Sequence, residues 1–352
     1  MKKTVFCFLL TVIVISSCKK NNSNETPPVA QTNIYVVGGA SGGNDNPYAC
    51  YWKNGIKTDL TSATAFTEEA EAKDVAMMGN DLYIVGYQLQ ATGVYRALYW
   101  KNNTPTYLTN GPTDGAASGI TISGNDIYIC GYEENAAGIL VATYWKNGVA
   151  VNVTNGTRNA WLQDIKVVGS DVYVLGREAT TTAGNSVSKY WKNGVPQIIA
   201  TSFPFNADFE NFAISNNNIY IAGQESDPSL TSARSTLYKD GVRTWLTDGT
   251  STASAASVLV SNGDVYVMGN TTNAAGIMEP TYWKNGTKNT FSGSGFNDGY
   301  LIHGCSKGTD VYLLGSLQTG AGVDQAYYWK NGTATKVTTT GGRSRGNAIY
   351  VQ

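Results

Sequence analysis

A chain of 352 residues with 25 basic and 26 acidic side chains carries no charge surplus of the kind that marks a nucleic-acid binder. Aromatics make up 11% of it, with 22 Tyr and 8 Trp beside 39 Gly, a mixture that suits many short strands joined by tight turns. One His (His303) and five Cys without C-x-x-C spacing exclude zinc and haem motifs, so no cofactor or metal is expected.

The N-terminal segment reads as a targeting signal. Lys2 and Lys3 precede an apolar run from Thr4 to Ile15, too short to span a bilayer as a helix. The run ends in Ile15-Ser16-Ser17-Cys18, which resembles the lipobox of bacterial lipoproteins: an aliphatic residue, two small ones and the lipidated Cys. The resemblance implies a signal peptide over 1–17, lipidation at Cys18, and a protein of the bacterial cell envelope. Such a protein is lipid-anchored at the outer membrane, facing either the periplasm or the surface. Residues 18–32 are polar and contain Pro, the composition of a flexible tether. Cys50, Cys130 and Cys305 each fall in an expected strand, and we read them as buried free thiols.

From residue 33 onward the chain repeats itself. Tyr-Trp-Lys-Asn-Gly starts at Tyr51, Tyr144, Tyr190, Tyr282 and Tyr328, with variants at Tyr99 and Leu237. A second motif, aliphatic-Tyr-aliphatic-x-Gly, ends at Gly38, Gly86, Gly131, Gly176, Gly223, Gly269 and Gly315. Each unit of about 46 residues reads as four strands, A to D, with Asn-Gly turning C into D. In the third unit these are Gly119–Ile122, Ile127–Cys130, Ala142–Trp145 and the stretch ending near Val153. No stretch keeps a helical period. The fold expected is an all-β, seven-bladed propeller over 33–352 with four antiparallel strands per blade. The chain begins in strand B and ends in Asn347–Gln352 with the pattern of strand A, so the C-terminal strand completes the first blade and removes an edge.

Glycine at the end of strand B resembles the kelch repeat, although only Gly38-Gly39 shows that repeat's double glycine. Elsewhere Tyr87, Tyr132, Arg177, Gln224, Asn270 or Ser316 follows the first glycine. The spacing of Trp, Asn-Gly and Leu-Thr is closer to the extracellular HAF-type bacterial repeats. Either resemblance covers 33–352 and implies the architecture, not an activity.

A residue that recurs in every blade is expected to pack blade on blade. Tyr and Trp, adjacent on strand C, should fill opposite inter-blade gaps, with the Lys stem laid along the aromatic surface. Function is expected where the repeat breaks. Four residues before the strand A aliphatic stand Arg345, Glu71, Ala116, Trp161, Asp208, Ser254 and Tyr300. Two residues on stand Asn347, Lys73, Ser118, Gln163, Glu210, Ala256 and Ile302. These loop-end positions should line the channel mouth, and His303 is placed before strand A of the last blade, near the same mouth. The candidate ligand-binding set is therefore Glu71, Lys73, Trp161, Gln163, Asp208, Glu210, Tyr300, His303, Arg345 and Asn347. Mixed hydrogen-bonding and aromatic groups around a concavity suit a glycan, peptide or protein partner. The expectation is a monomeric, noncatalytic binding or scaffold protein that does not bind nucleic acid and meets the membrane only through its anchor. The alternative is a glycan- or peptide-cleaving enzyme that uses Glu71, Asp208 and Glu210 as paired carboxylates.

Overall fold

The computed structural model describes residues 32–41, 47–61, 69–182, 184–199, 207–226, 229–230, 232–291, 296–319, 322–338 and 343–352. The signal segment, Cys18 and most of the tether lie outside them. The described residues form seven four-stranded antiparallel sheets, each in the order A-B-C-D. In blade 1, strand A is the C-terminal Ser344–Val351, paired with strand B, Ile34–Ser41. The strands A of blades 2 to 7 are Ala70–Met78, Gly115–Ser123, Ala160–Val168, Ala207–Ser215, Ala253–Ser261 and Phe296–Lys307. Each packs against strand A of the next blade, and blade 7 packs against blade 1, which closes the ring around a central lumen. The seven-bladed propeller and its C-terminal closure are thus as expected.

The Tyr-Trp-Lys-Asn-Gly motif is the mortar of this ring. Trp145 of blade 3 is fully buried against Tyr83, Val85 and Ala97 of blade 2. Its neighbour Tyr144 packs the other way, against Ile165 and Val174 of blade 4. Burying an aromatic of this size removes about 150–250 Å² from water, worth roughly 4–6 kcal/mol at ~25 cal/mol per Å². The Lys does more than cover apolar surface. Lys146 Nζ sits 5.2 Å from the centroid of the Tyr128 ring and 2.8 Å from Asp126. The same pair of contacts recurs at Lys101, Lys192, Lys284 and Lys330. Asn147, held at φ 50° by the turn, accepts the Ile127 N–H at 2.9 Å and donates to Asp126 at 2.8 Å. The Asp is therefore a clamp between strands as well as a turn residue.

Every strand A carries a β-bulge at the same place. The pairing with strand B skips Lys73, Ser118, Gln163, Glu210, Ala256, Ile302 and Asn347. The bulge explains the glycine of strand B. A Cβ at Gly131 would lie 1.9 Å from the carbonyl oxygen of Ala116, and one at Gly38 would lie 2.0 Å from that of Arg345. The other five strand B glycines meet the same clash. The recurring glycine is thus the imprint, on strand B, of a kink in strand A.

The three cysteines among the described residues are free thiols: Cys50 and Cys130 are buried, while Cys305 is only half-buried.

Candidate functional site

Strand A is longer at its N-terminal end than the apolar pattern suggested. In blade 3 it starts at Gly115 rather than Gly119. The ten candidate residues consequently lie on strands that wall the lumen, not on loop ends. The pattern hid this because, ahead of the bulge, apolar alternation gives way to small residues such as Ala70, Ala72, Ala116, Ala117, Ala253 and Ala255. His303 is corrected likewise: it sits inside strand A of blade 7, one residue past the bulge.

The seven bulge residues come together. With Asp74, Asp164, Lys166, Asn211, His303 and Ala348 they line one cavity of about 300 Å³ at the centre of the ring. Five of the ten candidates are there: Lys73, Gln163, Glu210, His303 and Asn347. The other five (Glu71, Trp161, Asp208, Tyr300 and Arg345) are two residues earlier on the same strands and do not line this cavity. A second cavity of about 390 Å³ lies toward the A–B turns and shares Asp74, Lys166, Asn211 and His303 with the first. These four residues form a waist across the lumen.

The waist was not legible as a site, yet it has a clear construction. Strand A is an edge strand whose lumen-facing N–H groups need partners. The residue after the bulge supplies them, blade to blade. Asp74 accepts the Ile120 N–H at 2.9 Å, Asp164 accepts Phe212 N–H at 3.3 Å, and Asn211 accepts Val258 N–H at 3.0 Å. His303 accepts Ile349 N–H through Nδ1 at 3.3 Å. Asp164 also takes Asn211 Nδ2 at 2.8 Å and Lys166 Nζ at 2.6 Å. Burial raises Asp74 to about 6, with Lys166 opposing, and burial together with the charge on Lys166 pulls His303 down to about 4. Burial works against the charge on Lys166, but Asp164 and Asp74 outweigh it and raise its pKa. A repeat alignment held one signal for this waist: Asp74 and Asp164 stand where other blades have Gly119, Ser257 and Ala348.

Above the waist most charges are paired. Burial disfavours the Glu71 carboxylate, but Lys73 at 3.6 Å, Asn347 Nδ2 at 2.8 Å and Tyr87 OH at 2.9 Å outweigh it and lower its pKa. Asp208 binds Arg177 at 2.7 Å, and Arg345 binds Asp324 at 2.8 Å. Glu210 is different. It is open to water in the lumen and has no hydrogen bond or ion pair among the described residues. The surrounding wall, and then the nearby Asp208 carboxylate, raise its pKa. Gln163 on the adjacent blade has an Oε1 shut off from solvent with no hydrogen-bond partner. Trp161 and Tyr300 are half-buried. Glu71 and Asp208 are each paired with a cation, so of the three carboxylates only Glu210 has no partner among the described residues. Among the described residues no cluster of His, Cys, Asp and Glu is suited to hold a metal ion.

The domain is similar in fold to a puromycin hydrolase mutant complexed with PGG, at TM-score 0.58 and 10% identity over 89% of this chain and 52% of that one. The chain thus spans about half the length of that structure. Lower likenesses are to a second puromycin hydrolase structure (TM-score 0.46, 8% identity, 78% of this chain and 54% of that one) and to Aleuria aurantia lectin in complex with alpha-methyl-L-fucoside (0.44, 13%, 77% and 95%). At such identities the likeness is one of fold. No protein-family model matches the sequence, and no curated protein matches it.

Proposed function

We propose that the propeller is a noncatalytic binding protein of the bacterial envelope, tethered by a lipid on Cys18, whose central lumen and its mouth hold a glycan, peptide or protein partner. One observation carries the reading. The same bulge, recurring at one place on seven strands, presents seven different residues, Asn347, Lys73, Ser118, Gln163, Glu210, Ala256 and Ile302, to one cavity. Packing alone explains a position that repeats; it does not explain why a backbone position that recurs seven times holds seven different side chains. The commitment of Glu71 and Asp208 to Arg and Lys partners suits recognition better than hydrolysis.

A thermal-shift screen of the purified protein against glycans and peptides tests this. A ligand at about 100 times its Kd stabilises the folded state by roughly 2.7 kcal/mol, and variants at Lys73 and Gln163 should remove that shift. A ligand whose shift survives both substitutions, or the absence of any shift together with no captured protein partner, overturns the proposal.

A further inference from the structure

We propose that the lumen selects a ligand bearing a free amino group, held at Glu210 and Gln163, and that it discriminates against the same ligand once that group is acetylated. The inference deepens the binding reading above and rests on it. Its first support is charge. The ionisable lining of the upper cavity is Lys73, Asp74, Asp164, Lys166 and Glu210, with His303 held neutral. Lys166 is taken by Asp164, and Lys73 by Glu71 just outside the lining. Asp74 and Glu210 therefore remain without a cation at bonding distance, although Lys166 lies near the first and Lys73 and Arg177 near the second, and the lining carries one more negative than positive side chain. Asp74 already accepts the Val75 and Ile120 N–H groups, so Glu210 is the free acceptor. In a walled lumen a carboxylate attracts a cation more strongly than it does at an open surface.

The second support is independent of charge. Gln163 Oε1 is buried in the same wall, on the neighbouring blade, and lacks a donor. A buried acceptor left unmet is a cost that a ligand donor can remove. A rotation of its carboxamide offers it to a donor in the lumen, and an ammonium group, with three N–H bonds, can serve Glu210 and Gln163 together. Anionic ligands face the opposite balance, since both lysines of the cavity are already engaged.

The shared chemistry is a primary amine, which an amino sugar or a lysine-bearing peptide can supply. Isothermal titration of the full chain with a glucosamine trimer and with a lysine-bearing tetrapeptide, each against its fully N-acetylated counterpart, separates the two sources. The expected result is that one of the amine probes binds, that acetylation weakens it at least tenfold, and that Glu210→Gln weakens it at least tenfold. Acidification that protonates Glu210 should weaken it as well. Glu210 makes no contact that supports the fold, and an unchanged melting temperature for Glu210→Gln confirms that its loss is one of binding. Equal affinity for free and acetylated probes, unchanged affinity in Glu210→Gln, or no binding of either amine overturns the inference. If neutral glycans or peptides still shift the melting temperature through Lys73 and Gln163, the binding reading stands without it; if no ligand does so, both fall.

Discussion

Gly38 and Gly39 are adjacent on one strand, yet the structure assigns them opposite tolerances. A Cβ at Gly38 would stand 2.0 Å from the backbone oxygen of Arg345 and 3.0 Å from its carbonyl carbon. At Gly39 the nearest atoms are Pro47 Cβ at 3.7 Å and Tyr48 O at 3.8 Å, ordinary contacts. Neither glycine has the positive φ that would disfavour alanine on its own. Gly38→Ala must therefore push strand A off strand B by more than 1 Å at the bulge. That costs one or two backbone hydrogen bonds at about 1 kcal/mol each and disturbs a close-packed seam, for a total of about 3 kcal/mol. A folded unit of roughly 320 residues has an unfolding entropy near 0.7 kcal/mol/K, so the melting temperature should drop by about 4 °C. Gly39→Ala should leave it unchanged or raise it by about 1 °C, because alanine reduces the freedom of the unfolded chain. Calorimetric melts of the two single variants decide the matter. Equal losses at both sites, or a tolerated Gly38→Ala, would refute the bulge account. The same geometry explains why the second glycine is replaced in six blades while the first never is.

Asp74 makes stability depend on pH in a definite direction. Its folded pKa is raised from 3.8 to about 6, so the folded state takes up the proton first and the cost of a buried charge, full above pH 6, fades as pH falls toward 4. The difference is worth at most about 3 kcal/mol. Melts of wild type and Asp74→Asn between pH 7 and 4.5 should show the wild type gaining on the variant as pH falls; a constant gap would count against a buried charged Asp74. His303 works in the opposite sense, since its lowered pKa costs stability on acidification, and the comparison with the variant removes most of its contribution. Deleting Ser344–Gln352 takes away strand A of blade 1 and strips cover from Val36 and Val37. Cooperative unfolding should be lost, and a melt that stays sharp at the same temperature would contradict closure through the C-terminal strand.

The architecture was legible because the physics behind it repeats. Trp145 and its counterparts fill gaps between blades, Asn147 and its counterparts accept a positive φ, and Gly131 and its counterparts yield to a bulge; each need recurs seven times and leaves a periodic mark. The bulge ring was legible for the opposite reason, as the position where the period fails. What the sequence hid was depth. Alternation breaks ahead of each bulge, so Glu71 and Asp208 read as loop ends when they are on strands. Of the waist residues, Asp74, Lys166 and Asn211 carry no spacing motif, because each is a single polar residue within a strand, and only His303 stands out in the sequence. Packing of one blade on the next sets Asp164 beside Asn211, one repeat of 47 residues away. The pairing of Glu71 with Asn347 spans 276 residues and depends on closure of the ring.

The central claim is that repeated residues hold the ring together while the unrepeated bulge residues recognise a ligand. Its most direct test is the affinity of one lumen ligand for wild type, for Glu210→Gln combined with Gln163→Ala, and for Lys146→Ala in the repeated clamp. The account predicts that the lumen variant loses at least tenfold in affinity while keeping its melting temperature, and that the clamp variant keeps its affinity. Affinity lost through Lys146→Ala and retained in the lumen variant would contradict it.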